Sequence, residues 1–151
     1  MAHLYWGIQV RANNDFWGFY SESFAEYFSL LALRELLGEN KYKNFVLEKY
    51  LTDNALKFNV AQLTDVQKPL NVYYCYNYYS MVLLGLEQIV GEEKVINFFR
   101  YLLENTKSSN IDFDYFERMA LESGITKNQW NQFKVEYVET PNCLNLVKDR
   151  L

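Results

Sequence analysis

The stretch that most constrains this chain is residues 70 to 90, which is apolar on nearly every side: Val72, Tyr73, Tyr74, Tyr76, Tyr79, Met81, Val82, Leu83, Leu84, Leu86, Ile89 and Val90. A helix that is hydrophobic all round is either enclosed by the rest of its protein or crosses a membrane. From Val72 to Leu86 the run covers fifteen residues and is interrupted by Asn77 and Ser80. That is short of the ~20 apolar residues a bilayer requires. The expectation is a central buried helix and no transmembrane segment, with the other elements arranged to cover it.

Those other elements read as amphipathic helices. Gly91 ends the buried helix, and Glu92 and Glu93 stand at the next N-terminus, where acids favour the helix dipole. Val95, Phe98, Phe99, Leu102 and Leu103 then follow at the spacing of one helical face. Asn105 to Asn110 reads as a loop, and Asp112 as the cap of a short helix that carries Phe116, Met119 and Ala120 and stops at Gly124. Thr126 and Gln129 fit a capping box ahead of Trp130 and Phe133, and Pro141 is read as the end of regular structure.

Toward the N-terminus, residues 8 to 20 read as a connection, with Phe16, Trp17, Phe19 and Tyr20 tucked against the body. A helix begins at Ser21 or Ser23 and runs to Leu37, where Gly38 is a natural residue for the C-terminal turn. Ser23 and Glu26 have the spacing of a second capping box. Residues 41 to 57 predict a further helix, and 59 to 69 a loop closed by Pro69. No strand alternation, low-complexity tract or linker interrupts the 151 residues and 18.0 kDa. The chain is expected to form a single all-α domain of about six helices, with a connection over 1–20, a helical body over 21–140 and a tail over 141–151.

Composition narrows the function classes. The net charge of -4 and pI near 5.1, with Lys and Arg scattered among acids, leave no cationic surface for nucleic acid. Cys75 and Cys143 lie far apart, without the close pairs of zinc ribbons or redox motifs, so both are expected as free thiols. No basic segment followed by an uninterrupted apolar one opens the chain, so no signal peptide is expected. An aromatic content of 18% predicts a ring-rich interior.

The single histidine is His3, and eighteen residues separate it from Glu22 in the phrase Ser21-Glu22-Ser23-Phe24-Ala25. This arrangement resembles the gluzincin zinc metallopeptidases, in particular the aminopeptidase N-like family, whose motif is HExxH, eighteen residues, then Glu in a phrase usually written NEGFA. His3 falls on the second histidine and Glu22 on the third ligand, with Met1 and Ala2 at the variable positions. The chain is thus expected to begin inside the motif, after its first histidine and its glutamate. Where the family usually reads H-Q-W-F-G, this chain has His3-Leu4-Tyr5-Trp6-Gly7. Two later stretches are also similar in order: VLLGLEQIVGEEKV from Val82, and SGITKNQWNQFKVEYVETPNCL from Ser123.

The resemblance implies the helical half of a thermolysin-like catalytic domain, with residues 3 to 7 as the end of the zinc-motif helix. It implies zinc, held in the complete protein by His3 and Glu22, and a peptide substrate. Glu26, one turn beyond Glu22, would accept a hydrogen bond from a ligand imidazole. The family also uses a tyrosine, in a Y-x-K-G phrase, to stabilise the oxyanion. Here Asn77, Tyr79 and Ser80 stand at the Tyr, Lys and Gly positions, so Tyr76 or Tyr78 would serve only with a one-residue shift; a core role is the rival for each.

With one histidine and no HExxH glutamate, the chain alone is expected to bind zinc weakly and hydrolyse nothing. The face left open by the absent half is expected to support a homodimer. The alternative is a non-catalytic helical module that binds peptides or a partner protein, a degenerate peptidase relative, to which the missing residues and Asn77 point.

Overall fold

Every residue from Tyr79 to Leu86 is buried, as an all-round apolar helix requires. They belong to α3 (Tyr79–Val90), in a computed structural model that describes Trp6 and residues 16–52, 74–106 and 111–151. Around it stand α1 (Phe24–Leu37), α2 (Glu39–Lys49), α4 (Glu92–Asn105), α5 (Phe113–Glu122), α6 (Lys127–Phe133) and α7 (Cys143–Asp149). Three five-residue π-helical turns complete the path: Phe19–Ser23 runs into α1, Tyr74–Tyr78 into α3, and Lys134–Val138 continues α6. There is no strand among the described residues. No helix among them is long and apolar enough to cross a membrane.

Helix α3 is the axis of the fold, in contact with α1, α4, α6, α7 and all three π-turns. Near its buried N-terminal end the hydroxyl of Ser80 donates to the carbonyls of Tyr76 at 2.6 Å and Asn77 at 3.2 Å, so this polar side chain sits in the core without an orphaned donor. Gly38 (φ +75°) and Gly91 (φ +87°) make the sharp joints between α1 and α2 and between α3 and α4. A side chain is rarely compatible with those angles.

Rings fill the space between α1, α4, α5 and α6. Phe116 contacts Phe19, Tyr20, Phe24, Phe98 and Trp130, with ring centroids 4.9 to 5.9 Å apart. Trp6 joins the same cluster through Phe24 at 4.8 Å, Phe99 at 5.7 Å and a stacked Phe28 at 5.8 Å. Arg34 of α1 bridges Glu87 of α3 and Glu92 of α4, each at 2.6 Å. The hydroxyl of Tyr27 donates to the other Glu87 oxygen at 2.6 Å.

Two of the expected caps form. Asp112 accepts from the Tyr115 amide at 2.8 Å, and Thr126 with Gln129 makes a reciprocal capping box. Asp112→Ala leaves that amide without its acceptor and is expected to cost about 1 kcal/mol. Urea unfolding checks this, with a lowered midpoint and an unchanged slope.

Four expectations about the elements need correction. Ser23 does not cap a helix: its backbone is already helical (φ -69°, ψ -37°) and it makes no capping bond. The cause lies upstream, where residues expected as a connection are helical from Trp17 onward through the first π-turn. Trp17 is not tucked in; it is 46% exposed, whereas Phe16, Phe19 and Tyr20 are buried. Helix α2 stops at Lys49, and Leu51 and Thr52 are not helical; residues 53 to 57 of the expected helix, like the loop 59 to 69, lie outside the described residues. Pro141 does not end regular structure but precedes α7, whose Cys143, Leu144 and Val147 are buried and which packs on α3.

Candidate functional site

Two of the residues that the peptidase resemblance names, Glu22 and Tyr76, lie on the first two π-turns, which touch each other. In a π-turn the hydrogen bonds run from i to i+5 and the backbone widens, a geometry that recurs at functional sites. The first turn carries Ser21 and Glu22, the second Cys75, Tyr76 and Tyr78. Glu22 is half-buried. Its Oε1 accepts from the hydroxyl of Ser21 at 3.2 Å, and the Tyr76 hydroxyl stands near the carboxylate.

Charge and burial set the protonation of the neighbours. The Tyr76 hydroxyl is pushed up to about 12, first by the neighbouring Glu22 carboxylate as an acceptor, then by burial and by the charges of Glu22 and Glu26. It therefore stays protonated at neutral pH. Cys75 is buried beside the same carboxylate; burial and then the Glu22 charge push its thiol up to about 11. A thiol so raised stays protonated at neutral pH in the metal-free chain.

Tyr78 belongs to a different environment. It is buried and faces Cys143 of α7, whose sulfur accepts a hydrogen bond from its hydroxyl. Burial, then the proximity of Cys143, raises the Tyr78 hydroxyl well above the usual range. Burial also pushes the Cys143 thiol up to about 12, against the opposing effect of that hydrogen bond. Both cysteines are free. Tyr79 is buried against Phe19 at 5.8 Å, and Asn77 is half-buried with its carbonyl turned to Ser80.

Glu26 lies one turn along α1 from Glu22 and is engaged by α2. Lys49 Nζ donates to its Oε1 at 2.9 Å, and the Tyr50 hydroxyl donates to the same oxygen. The Lys49 ammonium also sits 4.7 Å from the centre of the Tyr50 ring. Burial first, and then this bond to Glu26, raise the Tyr50 hydroxyl above its ordinary range.

Of the residues that the resemblance names, Glu22 and Tyr76 are neighbours, Glu26 has the partners Lys49 and Tyr50, and Tyr78 lies by Cys143. His3 lies outside the described residues. Ser21, which donates to Glu22, and Cys75, near enough to feel its charge, are not named by the resemblance. The sequence signal for each was adjacency, Ser21 to Glu22 and Cys75 to Tyr76, but it had no direction until the π-turns were seen.

A catalytic zinc site needs three protein ligands. Among the described residues no group of three or more His, Cys, Asp or Glu side chains comes together. They do not by themselves make up a zinc site. Compared with protein-family models, with curated proteins and with solved structures, the chain matches none.

Proposed function

We propose that this chain is the helical C-terminal part of a gluzincin metallopeptidase catalytic domain of the aminopeptidase-like kind. In the complete protein it contributes Glu22 as the third zinc ligand and one wall of the cleft that holds a peptide substrate. The observation that supports this reading is the packing of Trp6. It stands three residues after His3 and lies against Phe24, two residues after Glu22, with ring centroids 4.8 Å apart. The two phrases that share the motif are therefore tied together in the core, and the second presents its glutamate from a π-turn.

The described residues do not complete a metal site, and the glutamate that would act as general base in HExxH is not in the sequence. The chain by itself is accordingly expected to be inactive. Pure protein, incubated with zinc and amino-acid arylamides or short peptides, should show no turnover. Reproducible hydrolysis that a chelator abolishes would contradict the proposal that this chain supplies only part of the machinery.

A second reading, a degenerate relative that binds peptides without chemistry, is favoured by one observation: the half-buried Glu22 carboxylate accepts a hydrogen bond from Ser21 within the fold. Peptide binding that is tight and unchanged by a chelator would select it over the first.

A further inference from the structure

We draw no further inference here: the strongest candidate, the open groove between α5 and the third π-turn lined by Asp114, Glu117, Arg118, Leu121, Glu122 and Lys134, carries nothing, because Glu117 is already paired with Lys127 and Lys134 and nothing in the structure shows what covers it.

Discussion

Gly85→Ala is expected to destabilise the protein by about 3 kcal/mol, the upper part of the range for overpacking a core, and to lower its melting temperature by roughly 10 °C. Judged by helix propensity alone, the same change would stabilise α3 by about 1 kcal/mol, so the sign of the effect is diagnostic. A Cβ at position 85 would stand 2.6 Å from Cγ and Cε1 of Tyr137 and closer still to Cδ1. The ring has nowhere to go. It is buried, its hydroxyl donates to Gln88 at 2.9 Å, and Arg150 donates to that hydroxyl at 2.8 Å. Thermal unfolding checks the prediction, and a Tyr137→Leu background sharpens it: there, added alanine should cost clearly less.

Arg34→Ala is expected to cost about 3 to 5 kcal/mol, the range for leaving one member of a buried pair uncompensated. Arg34 and Glu87 have side chains 15% and 10% exposed, whereas Glu92 is 45% exposed. The Glu92 bridge therefore contributes little, and the loss comes from Glu87, which would retain only the Tyr27 hydroxyl at 2.6 Å. Pairing the change with Glu87→Gln removes the stranded charge. The double variant should melt above Arg34→Ala alone; a double variant that is less stable than the single would show that charge stranding is not the cause.

These two effects lie in parts of the fold that the sequence announces to very different degrees. Burial of α3 on all sides follows from a run too apolar to face water and too short to span a bilayer. The Asp112 and Thr126 caps follow from side chains whose best partners are three residues away. Arg34 and Glu87 are 53 residues apart, and no local pattern relates them. Glu26 illustrates the competition directly. Its spacing from Ser23 suits a capping box, but Lys49 and Tyr50 reach it from α2, while Ser23, already inside a helix, has no free end to cap. Likewise Pro141 was legible as a breaker, yet proline also stands just ahead of helices, and only the burial of Cys143, Leu144 and Val147 against α3 decides between the two.

The candidate site was half legible for a related reason. Glu22 and Tyr76 were singled out from a motif, but the motif gave two tyrosines and no means to choose between them. The two tyrosines share a π-turn, and nothing in a 3.6-residue periodicity signals a turn that closes from i to i+5. Within it Tyr76 lies near Glu22 and Tyr78 by Cys143. The same turn brings Cys75 within range of the Glu22 charge, which spacing along the chain does not suggest.

The central claim is that His3 and Glu22 are the second and third ligands of a gluzincin zinc site, and the most direct measurement is the coding sequence immediately upstream of Met1. The account predicts an in-frame His-Glu directly before Met1, which completes HExxH with His3. A stop codon there, or any other pair of residues, would contradict it and turn attention to the binding of peptides without metal.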